Sequence, residues 1–264
     1  LSQIDSFDYK PDLARHHGQS PSIKNIDPFF GKIGRIRKND WAFRQHGQSG
    51  LWVSNLFPHL ASVADELTVI RSMYADTGNH TPALFLHNSG FPVNGFPSLG
   101  SWLSYGLGSM NEDLPGYIVM HAKTSFPEQS LFNRLWGPGF LPAEHQGVLL
   151  RSQGDPVLYL SNPKGTSRND RRAQLDTLAA LNRSQHAESL DPQTLARIKQ
   201  HEMAFRMQTS VPELMDLTTE SDKTFELYGE EARKAGTFAA CCLNARRLAE
   251  RGVRNIQIFH RGWD

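Results

Sequence analysis

The sequence is short of most features that would place it quickly. It has 2 cysteines in 264 residues, and they are neighbours, Cys241 and Cys242. Adjacent positions on a helix point in different directions, which argues against a disulfide between them. Both are expected to be small buried side chains. No apolar run approaches the ~20 residues of a membrane span. Net charge is nearly absent: 28 Lys and Arg against 27 Asp and Glu leave +1, so nothing in the balance favours nucleic acid or an anionic membrane. Also missing are a Ser-His-Asp elbow, a phosphate loop and a dinucleotide glycine pattern.

What is present is the composition of a folded globule, 39% hydrophobic and 10% aromatic. A 29.7 kDa chain can bury one large α/β core or two small domains. The most informative stretch runs from Phe57 to Gly90. Leu56, Leu60, Val63, Ala64 and Leu67 recur at helical spacing. Leu67-Thr68-Val69-Ile70 then reads as a buried strand, followed by a polar turn ending at Asn79-His80 and a second apolar helix from about Pro82. Helix N-termini offer N–H groups and a positive dipole end, so Asn79-His80-Thr81 suits an anion. An ordinary capped strand-to-helix turn explains the same residues.

Further along, Ser98 is expected to start a helix that Gly108 ends, and Tyr117-Ile118-Val119-Met120 reads as a strand. That alternation is the signature of a parallel α/β sheet. His121 and Lys123 fall at the strand's end, where such sheets place ligands. Residues 124–230 read as a loop-rich and helical insertion, with capped helices from Ser167 and from Asp191-Pro192, a third starting at Pro212, and a fourth over Ser221–Tyr228. A last amphipathic helix runs from Thr237 and stops at Gly252. Val253–Phe259 then forms a strand that delivers His260-Arg261-Gly262-Trp263-Asp264 to the sheet edge. Near the start, Asp5 and Asp8 are candidates for either metal binding or turn capping. Gln45–Gly50 is a candidate site lining, with Ser49 or Ser54 equally an N-cap.

The Phe57–Gly90 segment resembles the nucleophile segment of sulfatases and other alkaline-phosphatase-superfamily hydrolases, where Cys/Ser-x-Pro-Ser-Arg opens a helix ending near Thr-Gly. Aligning Pro82 with that Pro brings Ser89-Gly90 onto Thr-Gly without a gap. The nucleophile position then falls on His80, and Ser-Arg on Ala83 and Leu84, which argues against a formylglycine-type sulfatase mechanism. A closer resemblance is to the exported bacterial "domain of unknown function 1501" family, sulfatase-like in that superfamily. It is carried in order by Ile4–Pro11, Gln45–Gly50, Ile70–Met73, Asn79-His80-x-Pro82-Ala83, Pro97–Trp102, Gln153–Pro156, Arg251–Arg254 and Gly262–Asp264.

The resemblance implies a single partial domain over residues 1–264. Its fold would be a mostly parallel sheet with helices on both faces, alkaline-phosphatase/sulfatase-like, truncated at both ends. An export signal and a first strand are expected before residue 1, and a further part after Asp264. It implies a periplasmic or otherwise exported protein. It also implies a divalent metal, with Zn, Mn, Mg and Ca all compatible with Asp and His ligands. The metal set would be Asp5, His80 and Asp264, brought together from three strand ends. His80 and Thr81 are then the catalytic candidates, and Asn79, Arg71 and Lys123 the substrate-binding ones, with Arg261 a further anion clamp. Two functions remain open: a metal-dependent hydrolase acting on a small-molecule or glycan ester of phosphate or sulfate, or a catalytically silent binder of a glycan or protein. Oligomeric state is not legible.

Overall fold

A computed structural model describes residues 3–22, 33–123, 133–158 and 160–260. The chain divides into two compact units between Gly78 and Asn79.

The N-terminal unit is built on aromatic contacts and one hairpin. A 3-10 turn, Gln3–Asp5, precedes helix α1, Pro11–Arg15. Strands β1, Phe43–His46, and β2, Leu51–Ser54, pair antiparallel with Phe43 opposite Ser54. The Tyr9 ring lies 5.1 Å from Phe43 and 4.6 Å from Trp52. The Gln45–Gly50 stretch is therefore a hairpin tip. Its backbone is tied down by Asp65, whose carboxylate accepts from the N–H groups of Gln48 at 2.9 Å and Ser49 at 2.8 Å. Those bonds, Ser49's first, hold the Asp65 carboxyl below its ordinary range. Gly47 sits at φ +64, and a Cβ there would meet Asp65 Oδ1 at 2.2 Å, so the tip needs glycine. Neither Ser49 nor Ser54 caps the following helix, α2, Pro58–Ala61, whose N-cap is Phe57.

Residues 67–70 form no strand. A β-branched run becomes a strand only against a neighbour that satisfies its backbone. Ile70 is instead 64% exposed, and among the described residues β1 and β2 pair only with each other. The helical periodicity upstream is also only partly realised, as α2 and a 3-10 turn at Ala64–Glu66.

The larger unit holds a three-stranded parallel sheet in the order β4-β3-β5: β3 Tyr117–Ala122, β4 Val148–Leu150 and β5 Asn255–His260. Successive β3 side chains alternate between two covered faces. Ile118, Met120 and Ala122 join Leu150 in a core with Met207, Val211 and Leu214, and with Cys241 and Leu248. These come from helices α6, Pro192–Met215, and α8, Phe238–Glu250. Tyr117 and Val119 face the other way, onto Leu135, Trp136 and helix α3, His80–Ser89, through Leu84 and Phe85. Helix α4, Leu99–Leu107, comes so close that a Cβ on Gly100 would stand 2.3 Å from the Tyr117 ring. Helix α5, Arg168–Ser189, packs on α6, with Arg172 bidentate to Glu202 at 2.5 and 2.8 Å. Helix α7, Asp222–Tyr228, completes the set.

The expected caps Ser167 and Asp191 each accept a backbone N–H, and so do Ser98, Ser221 and Thr237, the expected helix starts. Pro212 does not begin a helix; it lies inside α6. A proline there costs about 3 kcal/mol. The helix continues because Val211 and Leu214, both fully buried, each contribute about 1.5–3 kcal/mol. None of the described helices is long and apolar enough to cross a membrane.

Candidate functional site

Open parallel sheets place ligands beyond the carboxyl ends of their strands. In the larger unit that edge is reached by β3 at Ala122 and by β5 at His260, paired in register, with His121 opposite Phe259. Because faces alternate along a strand, His121 and His260 look to opposite sides of the sheet. His121 packs edge-on against Trp136 at 5.1 Å and Phe259 at 5.7 Å. His260 lies 5.0 Å from Phe238 at the start of α8. The two imidazoles do not form a pair. Lys123 follows β3 directly; its backbone N–H donates to the Gly236 carbonyl at 2.6 Å, and the residue is exposed.

Helix α3 lies on the Tyr117 face of this sheet. Near its carboxyl end, Asn88 Oδ1 accepts from Gln257 Nε2 at 2.5 Å, and Gln257 Oε1 in turn accepts from the Tyr117 hydroxyl at 2.5 Å. One turn earlier, Leu84 and Phe85 pack on the cluster whose Trp136 touches His121 and Phe259. Asn88 thus ties the carboxyl end of α3 to the middle of β5, and Leu84 and Phe85 hold the helix on the Tyr117–Val119 face of the sheet. Burial pushes the Tyr117 hydroxyl up to about 12, against a smaller opposite pull from the Ser98 hydroxyl, so it stays a neutral donor and the relay is uncharged.

His80 is the first residue of α3, not the end of a strand, and both it and Thr81 are exposed. Asn79 serves as the N-cap: its side-chain oxygen accepts the Thr81 N–H at 3.1 Å. Pro82 has no N–H, and Ala83's donates to the Asn79 carbonyl at 3.1 Å. The first turn is thus poorer in anion-binding donors than its sequence suggests, retaining the dipole and the His80 amide position.

The other candidates lie elsewhere. Asp5 ends the 3-10 turn of the N-terminal unit and is half-buried; Arg71 is exposed in that unit's last loop. Asp8 is buried and paired with Lys10 at 3.0 Å. Asp264 and Arg261 lie outside the described residues. Among the described residues, no group of three His, Cys, Asp or Glu side chains is arranged to hold a metal ion. Asn88 and Gln257, which tie α3 to β5, were not site candidates from sequence. The available signal was a glutamine between two isoleucines in an apolar strand.

No curated protein and no solved structure matches the chain. The sequence matches the family described as "Protein of unknown function (DUF1501)" over residues 1–264. The chain belongs to that family.

Proposed function

We propose that the protein is an exported, metal-dependent hydrolase of phosphate or sulfate esters on an alkaline-phosphatase/sulfatase-like fold. The observation that carries this reading is that α3, packed on a parallel sheet and tied to β5 through Asn88, carries exposed His80 and Thr81 in its first turn. A divalent ion (Zn, Mn, Mg or Ca) would polarise a phosphoryl or sulfuryl oxygen and activate the attacking group. In the larger unit His80 would be one of its ligands. The donor chemistry suits such ions, while the described residues around His80 do not complete a set by themselves. Thr81 offers the nearest hydroxyl to the position that His80 occupies, and His80 itself is a nucleophile candidate. Lys123, exposed beside the strand end, would neutralise the ester anion, and Asn79 holds the turn that carries His80.

Elemental analysis of the full-length protein beside His80→Ala and Asp264→Ala tests this. About one or two divalent ions per chain, lost in both variants, is expected for a metallohydrolase site. An unvaried metal content, or none after supplementation, refutes it.

One observation favours a second reading, a binder of glycan or protein. Between His87 and Glu112 the chain carries no Asp, Glu, Lys, Arg or His. This stretch presents Trp102 and Tyr105, 43% and 56% exposed, with Phe140 at 66% beside Trp102. Exposed apolar patches of this kind mark interaction surfaces. Retention on an immobilised glycan that Trp102→Ala abolishes, with no metal bound, would select it.

A further inference from the structure

A cavity of the larger unit lies at the amino ends of β3 and β4. It has a volume of about 780 Å³, within the range that holds a small molecule. Gly116 and Tyr117 at the start of β3 and Val148 at the start of β4 line its inner end, and α6 forms one long wall. The floor is aliphatic and thioether: Val148, Val157, Leu160, Ile198, Met203 and Met207. Unbranched, polarizable methionines adapt their shape to an apolar partner.

The charged groups at the mouth are not equivalent. Glu202 is neutralised by its bidentate bond to Arg172, and Glu144 by Lys199 at 2.7 Å. Arg206 is different. Its Nη1 is fixed by the Glu112 carbonyl at 2.9 Å, and its carboxylate neighbour, the Glu112 side chain, stands 3.5 Å away and is 90% exposed. An ion pair that loose and that solvated contributes little. A guanidinium carries five donors in a planar fork. Arg206 is therefore oriented by backbone and able to exchange Glu112 for another carboxylate.

We propose that this groove binds a single-chain amphiphile, with an unbranched acyl chain along the Val148–Met203–Met207 floor and its carboxylate on Arg206. The two chemistries required, a long aliphatic trough and one positioned, weakly engaged cation at its mouth, are the two halves of a fatty carboxylate. The site is separate from His80 and does not depend on the hydrolase reading.

Calorimetric titration with decanoate and with decan-1-ol tests it. Saturable binding of one decanoate per chain is expected. Arg206→Ala should weaken decanoate roughly tenfold, the equivalent of one charge-assisted hydrogen bond, and leave decan-1-ol unchanged. Met203→Trp, or Val157→Trp if the first variant does not fold, should abolish binding of both by filling the trough. No saturable decanoate binding overturns the proposal. So does binding that survives a folded Trp variant, or an Arg206→Ala that weakens the alcohol as much as the acid.

Discussion

Glu220→Gln should destabilise the larger unit by about 2 kcal/mol, a value that follows from one buried junction. Glu220 joins α6 to α7 and is clamped by the last turns of α8. Its Oε1 accepts from Arg247 at 2.6 Å and from Arg246 at 2.5 Å. The Glu220 and Arg247 side chains are only 10% and 12% exposed. Removing one partner of a buried pair costs about 3–5 kcal/mol, because the other charge stays buried and uncompensated. Here Arg247 keeps the Leu214 carbonyl at 2.8 Å, the Glu213 carbonyl at 3.1 Å and the Thr219 hydroxyl at 3.2 Å. Glutamine also preserves an acceptor oxygen, so roughly half of that cost is expected. With a urea slope of about 1–3 kcal/mol per M, the midpoint should fall by about 1 M.

The pH dependence supplies a second reading of the same junction. Burial pushes the Glu220 carboxyl up, but the bonds from Arg247 and Arg246 outweigh it and hold the group below its ordinary value of 4.5. A depressed folded value means that the unfolded state binds the proton first. The stabilisation is therefore complete above 4.5 and is lost as pH falls through the folded value. The gap between wild type and Glu220→Gln in urea unfolding, followed by far-UV circular dichroism, should be full at neutral pH and close under acid. A gap under about 0.5 kcal/mol at neutral pH, which is within ordinary surface-substitution effects, would refute the reasoning. A gap that does not change with acid would refute the linkage.

Two more outcomes follow from local geometry. Gly47→Ala should lower stability by about 1–3 kcal/mol, since it places a Cβ at positive φ and against the Asp65 carboxylate. Gly165→Ala, at φ +88 with nothing within 4 Å, should cost less, and paired thermal melts would separate clash from backbone preference. Gln257→Leu removes the middle of the Tyr117–Gln257–Asn88 relay and should cost about 1–3 kcal/mol for the buried groups left without it. If the relay holds α3 against β5, hydrogen exchange of the α3 amides should speed up in this variant more than that of α4. Equal effects on both helices would deny it that role.

Helix boundaries were largely legible in the sequence. Ser167 and Asp191 were identifiable as caps, and Ser98, Ser221 and Thr237 as helix starts, because an N-cap acts on N–H groups two or three residues away. Such a signal is complete within a few residues of chain. The strands expected at Tyr117–Met120 and Val253–Phe259 form as Tyr117–Ala122 and Asn255–His260, and of the two cysteines expected to be buried, Cys241 is buried and Cys242 half-buried. The family membership, carried by short blocks along the chain, was legible as well.

Wherever the outcome depended on a distant partner, only the tertiary structure decided it. Leu67–Ile70 has the composition of a strand and no neighbour to pair with, so it is a loop. Val148–Leu150 is too short to stand out, yet pairs with Ile118–Met120 and becomes the third strand. Pro212 should open a helix by local rules, but the burial of Val211 and Leu214 keeps α6 running through it. The same holds for the candidate site. Sequence could nominate His80, but the helix that carries it is tied to the sheet by Asn88 on Gln257, a contact between residues 169 positions apart.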